Sequence, residues 1–132
     1  MNAEKVYKKP PLKVWEYTID RKWTVLAGKT DVDNDRLSLK EAQPADWWFH
    51  VRSMPGSHVL LRAIAGEEPG KAVLKAAAAV AAYHSKARAG GVIPVACTKA
   101  VFVTKPRGAK PGTVQIRKET ILKVRPGLPD GS

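Results

Sequence analysis

The sequence predicts one α+β domain: a largely antiparallel β-sheet with one main α-helix packed on a face. Three observations predict it. Short segments rich in β-branched and aromatic residues recur between turn residues. One alanine-rich segment alone is long enough for a substantial helix. No repeat divides the 132 residues, a length that suits one domain with a real core.

Residues 1–11 read as a flexible basic arm ending at Pro10-Pro11. Residues 14–19, Val-Trp-Glu-Tyr-Thr-Ile, alternate and read as a strand; Asp20-Arg21-Lys22 turns the chain into a second strand closed by Gly28. Asp33 or Asn34 is expected to cap a short helix reaching Ala42. Residues 47–52 and 57–63 read as a hairpin, with Pro55-Gly56 supplying a type II turn. The main helix is expected over residues 71–89. Glu67 and Glu68 precede it, Lys86 and Arg88 stand near its end, and Gly90-Gly91 stops it. Val73, Ala77, Val80 or Ala81, and His84 share one face. Residues 93–103 read as a strand around Cys97, then a basic turn-rich loop, then strands over 113–117 and 120–125. The domain proper spans 12–126, and residues 127–132 form a tail that should fray. The predicted order is ββ(short α)ββαβββ.

The chain carries 23 basic and 12 acidic side chains, a net charge of +11 and a pI near 10.0. Residues 71–132 hold twelve basic and two acidic residues, whereas residues 41–70 are net −2. A one-sided cationic surface points to a polyanionic partner, because clustered Lys and Arg release counterions when they neutralise phosphates. No large-anchored amphipathic helix suggests a membrane surface. The longest low-polarity run, residues 72–83, is too short to cross a bilayer. The single cysteine, Cys97, excludes an intrachain disulfide and reads as a buried small hydrophobe. With no signal peptide in view, a reducing, cytoplasmic setting is expected.

Motifs for catalysis and cofactors fail. There is no phosphate-cradling glycine loop, no C-x-x-C and no H-E-x-x-H. Asp31, Asp33 and Asp35 resemble the start of a calcium loop, but Arg36 stands at the required glycine and Ala42 at the required glutamate. Ser57 lacks the spacing of a nucleophile elbow. No cofactor, metal or catalytic residue is therefore expected. His50, His58 and His84 leave three roles open: a metal or acid–base site, hydrogen-bonded structural residues, or nucleic-acid contacts. A two-residue loop would put His50 and His58 on opposite faces of the hairpin; a longer loop reverses that. Trp47 and Trp48 are adjacent, so one faces the core and the other is a candidate base-stacking surface.

Several segments form a series: Gly28-Lys29, Asp33-Asn34-Asp35, Asp46-Trp47-Trp48-Phe49-His50-Val51-Arg52, Pro55-Gly56-Ser57-His58-Val59, Ala81-Ala82-Tyr83-His84-Ser85-Lys86-Ala87-Arg88, and Lys105-Pro106-Arg107-Gly108-Ala109-Lys110-Pro111-Gly112. Together they resemble the NFACT-R domain, the C-terminal RNA-binding module of the NFACT proteins, over about residues 15–126. His84 departs from the family at a position usually aromatic, and Cys97 lies in a strand where a tyrosine is common nearby. Full-length members act in ribosome-associated quality control, binding the large ribosomal subunit and recruiting tRNA for tailing of the nascent chain. The resemblance implies RNA binding, to tRNA or rRNA, without DNA. The other domains of full-length members are not among these residues, so tailing activity is not carried over from the resemblance and a stand-alone form is expected.

On that reading the expected contacts are Lys105, Arg107 and Lys110 on a proline-stiffened loop, Lys86 and Arg88 at the helix end, and His50, Arg52, Ser57 and His58 around the hairpin. Two alternatives stand beside it. One is an RNA-processing enzyme using His50, His58 and a carboxylate such as Asp46. The other is a protein-docking module on a ribosomal or RNA-modifying partner.

Overall fold

The computed structural model describes residues 10–130. Most of the arm expected over residues 1–11, and the last two residues of the tail, lie outside the described residues. The order is β1 (Val14–Ile19), β2 (Trp23–Gly28), α1 (Asp31–Arg36), β3 (Trp47–Val51), β4 (Val59–Leu61), α2 (Lys71–Tyr83), β5 (Ile93–Lys99), β6 (Val103–Thr104), β7 (Gln115–Ile116) and β8 (Thr120–Val124). Six strands form an antiparallel sheet in the order β1-β2-β4-β3-β5-β8. β6 and β7 pair separately.

Alternation along the strands divides the core between two faces. Val25, Ala27, Phe49, Val51, Val59, Leu61, Val95 and Cys97 point to α2, meeting Val73, Ala77, Val80 and Ala81. Small side chains on that helix face let its backbone approach the sheet. Leu26, Trp48 and Leu60 point the other way, against Leu37, Val103 and the partly buried Val114 and Ile116. The sheet is thus the middle of three layers. Sequence patterning predicts the α2 layer; the opposite layer, assembled from α1, the turn after it and the β6–β7 ribbon, comes from segments without periodic signal.

The structure corrects three local expectations. First, α2 ends at Tyr83 instead of residue 89. The chain beyond it leaves the helix to pair with the β3–β4 connection: Ser57 N–H donates to His84 O at 2.9 Å and Lys86 N–H to Pro55 O at 3.2 Å. These long-range bonds outweigh the alanine-rich helix propensity of residues 84–89. Second, Pro55-Gly56 is not a type II turn, since Gly56 is outside the positive-φ region that such a turn needs. Glycine is required there for close approach: a Cβ would stand 2.7 Å from Ser85 Cβ. Third, Thr30 caps α1, not Asp33 or Asn34. Its Oγ1 accepts from Asp33 N–H at 3.1 Å and donates to Asp33 Oδ2 at 2.6 Å, a reciprocal cap. Burial raises the Asp33 pKa, but these bonds and one from Lys13 N–H prevail and hold it below the usual value. After α1 the backbone widens into a π-helical turn over Leu37–Glu41. Glu67 and Glu68 do precede α2, whose first turn is itself without an acidic residue, and Glu67 pairs with Lys22.

At the far end, Gly127 N–H donates to Ala79 O at 3.2 Å, which lays the start of the tail on α2.

Candidate nucleic-acid interface

Gly28 ends β2, the β3–β4 connection crosses above it, and the segment after α2 bonds to that connection. An open cleft of about 360 Å³ lies between them, lined by Trp15, Lys29, Thr30, Asp31, Gly56, Ser57, His84, Ser85, Lys86 and Arg88, among others. Trp15 is 37% exposed. Its ring stacks on His84, with centroids 4.1 Å apart and planes at 11°. Lys29 Nζ lies 5.3 Å from the Trp15 ring centre. The Arg88 guanidinium covers the Tyr83 ring at 3.9 Å, and its Nε donates to Tyr83 O at 2.6 Å. Tyr17 Oη and His84 Nε2 share a hydrogen bond of 2.6 Å. Burial, reinforced by the Arg88 charge, pushes the His84 pKa down to about 4, so its ring is neutral at neutral pH.

The floor of the cleft is tightly built. A Cβ on Gly28 would meet Asn34 Oδ1 at 2.1 Å, the same oxygen that accepts from His58 N–H at 3.0 Å. Ser57 Oγ donates to Gly28 O at 2.6 Å.

A polar relay then ties the sheet to the basic loop. Trp48 Nε1–H, a donor only, donates to Ser38 Oγ at 2.8 Å. Gly112 O, 3.2 Å from His58 Nε2, can only accept, which puts the proton of the neutral ring on Nε2. His58 Nδ1 then accepts from Ser38 Oγ, 2.8 Å away. His58 is 2% exposed. Burial, and next the neighbouring His50, push its pKa down to about 4. On the other side of the same residue, Gly112 N–H donates to Asp35 Oδ1 at 2.9 Å. Gly112 sits at φ +88°, and a Cβ would lie 2.9 Å from Asp31 Oδ1, so only glycine fits. Lys105 closes the loop from inside: its Nζ reaches Lys110 O at 2.6 Å, Thr113 O at 3.0 Å and Asp35 Oδ2 at 3.1 Å. Asp31 both lines the cleft and lies against Gly112, so cleft and loop are contiguous.

The predicted site residues thus fall into two groups. Arg52, Lys86, Arg88, Arg107 and Lys110 are exposed. Ser57 and His58 were expected at the contact surface, but both are buried with their polar atoms bonded internally; their place is beneath it. Lys105 was expected to project, and its ammonium is turned inward as the loop's brace. His50 is half-buried, its ring edge-on to His58 at 5.3 Å. Burial lowers its pKa against the opposing backbone of Gly56 and Val51. The two histidines share a face because the β3–β4 connection runs over residues 52–58, longer than a two-residue turn. Neither Trp47 nor Trp48 is an open platform. Trp48 is 2% exposed, and Trp47 packs half-buried on the core under Lys99 Nζ, 4.2 Å from its ring centre.

Sequence reasoning missed Trp15, Lys29, Asp35 and Ser38. The alternation that puts Trp15, Tyr17 and Ile19 on one face was a usable signal for the first. Nothing local marked Ser38.

Asp46 does not join the histidines. It is buried and committed to Arg62 at 2.9 Å, Ala63 N–H at 2.8 Å and Gln43 N–H at 2.8 Å. Among the described residues no group of three or more His, Cys, Asp or Glu side chains is placed to hold a metal ion. No helix among them is long and apolar enough to cross a membrane. Cys97 is buried, and desolvation pushes its thiol up to about 12, far from a reactive thiolate.

The fold and the cleft define a small α+β domain that presents cations beside a stacked aromatic pair. A family model described as the NFACT protein RNA binding domain matches residues 13–118, and the chain belongs to that family. It is 37% identical over 125 residues to the Rqc2 homolog RqcH of Streptococcus suis, covering 95% of this chain and 22% of that protein. It is 38% identical over 117 residues to the Rqc2 homolog RqcH of Bacillus subtilis, covering 89% and 20%. The chain spans about a fifth of the length of these curated relatives. Among solved structures it is similar to the C-terminal part of the fibronectin/fibrinogen-binding protein from Streptococcus suis. There the TM-score is 0.81 at 35% identity, over 96% of this chain and 50% of that one.

Proposed function

We propose that this domain is a non-catalytic RNA-binding module. It engages the phosphate backbone of tRNA or ribosomal RNA in the cytoplasm, on or near the large ribosomal subunit, in ribosome-associated quality control. Membership of an RNA-binding family supports the class, and the names of the relatives support the setting. The observation that carries the reading is the pinned loop. Arg107 and Lys110 are exposed on a loop whose base is fixed by Lys105, Asp35 and His58, so they meet phosphates at a low ordering cost. Lys29, Lys86 and Arg88 extend the same surface across the cleft, and Arg52 adds a cation from the hairpin connection. Ser57, His58 and Lys105 act by positioning that surface, and His50 supports His58 from the side.

The test is binding to tRNA and to large ribosomal subunits across a salt series. Arg107→Ala/Lys110→Ala and Lys29→Ala/Lys86→Ala variants run alongside. Affinity should fall steeply with salt, and each lost phosphate contact should flatten the log–log slope by about one. No binding to either RNA at low salt would overturn the reading, as would binding that neither salt nor these variants alter; the latter favours a protein-docking module.

A further inference from the structure

We propose that the Trp15–His84 cleft takes a single unpaired nucleotide of the RNA, its base extending the aromatic stack and its phosphates resting on Lys29 and Lys86. The inference rests on the RNA-binding reading and goes further by stating what kind of RNA the site selects.

The stack is built before any ligand arrives. His84 cannot swing away: its N–H donates to Val80 O at 3.0 Å, its carbonyl accepts from Ser57 N–H at 2.9 Å, and its ring is bonded to Tyr17. Tyr83 stands edge-on to it at 5.1 Å. Trp15 rests on this fixed ring from β1, an edge strand of the sheet among the described residues, and is the exposed tryptophan among them. A neutral imidazole under an indole is a π platform without a charge of its own to repel or fix a partner. Lys29, an exposed side chain, holds its ammonium 5.3 Å from the indole centre. A base placed on that ring exchanges one π partner for another, and the freed ammonium is then beside the nucleotide's phosphate. Lys86 lines the other wall. A volume of about 360 Å³ lies in the range of small-ligand sites.

The remaining tryptophans discriminate this place from others. Trp23 and Trp48 are buried. Trp47 is half-buried under Lys99 and borders a second cleft, but that one also carries Glu67 and Glu68, so it lacks a clear cationic surplus for phosphate. Among the described tryptophans, Trp15 is the one that combines an exposed ring with several neighbouring cations. Bases inside a duplex have no free π face, so such a site selects loops, bulges or ends over continuous helix.

The experiment compares an RNA hairpin carrying an unpaired tetraloop with a fully paired blunt duplex of equal charge, at one fixed salt concentration. The native protein should prefer the hairpin by about tenfold, the lower range for stacking one base on an aromatic ring. Trp15→Ala should bring the ratio near one, and Trp15→Phe should retain most of it. Urea unfolding of each variant reports that the edge strand still folds. A 2-aminopurine in the loop gives a readout that needs no variant: its fluorescence should be quenched when the native protein binds. A hairpin-to-duplex ratio near one, or a probe that stays bright at every loop position in the bound complex, overturns the proposal while leaving phosphate binding intact. No binding to either RNA overturns the RNA-binding reading and this proposal with it.

Discussion

The relay through His58 makes stability depend on pH in a calculable way. In the folded protein His58 is neutral, with its pKa near 4 against an ordinary 6.5. Because the folded value is depressed, the unfolded chain binds the proton more readily. The stabilisation is therefore complete above about pH 6.5 and is lost as pH falls toward 4. At 1.36 kcal/mol for each tenfold step the whole difference is about 3 kcal/mol, of which about 2 kcal/mol is lost by pH 5. Protonated Nδ1 can no longer accept from Ser38, so the basic loop loses one of its ties as well. The measurement is urea unfolding at several pH values between 7.5 and 4.5, with His58→Gln in parallel. Gln does not titrate, so the variant should be less stable at pH 7.5 yet show a shallower decline; His50 and His84, also depressed, supply the slope that remains. Equal slopes in the two proteins would refute the buried neutral tautomer and the relay built on it.

Other outcomes follow from the same contacts. Ser38→Ala strands Trp48 Nε1–H and His58 Nδ1 in a buried site and should cost about 3 kcal/mol in urea unfolding. Gly28→Ala drives a methyl onto Asn34 Oδ1 and should cost about 2 kcal/mol or more, with the amide proton of His58 losing exchange protection. Lys105→Ala should weaken RNA binding by loosening the loop while leaving the salt slope nearly unchanged, whereas Arg107→Ala/Lys110→Ala should flatten it. Cys97 should react with a disulfide reagent only on unfolding, so its labelling rate should follow urea concentration as the unfolded population does.

Much of this protein was legible in its residues. The β-rich segments and the alanine-rich helix are read from local spacing, since strand and helix periods differ. The family is read from Trp48-Phe49-His50-Val51, Pro55-Gly56-Ser57-His58 and the loop over 105–112. The charge asymmetry points to phosphates before any fold is known. Less legible were the boundaries. Residues 84–89 carry good helix formers, and no local rule foretells that the segment will instead bond to Pro55 and Ser57.

The sequence by itself determined composition-level and short-range properties: α+β class, a basic second half, the family, and which residue types stand close along the chain. Those follow from periodicity and propensity, which act over a few residues. Tertiary structure alone decided which side chains are used. It placed Ser57 and His58 beneath the surface, turned Lys105 inward to Asp35, and brought Trp15 onto His84. Each of those outcomes joins residues far apart in the chain, and the place of His58 depends on the parity of a loop. One residue more or less in the β3–β4 connection would send His58 to the opposite face of the sheet, away from Ser38 and Gly112. Burial and partnership are set by that long-range register, and no local signal encodes it.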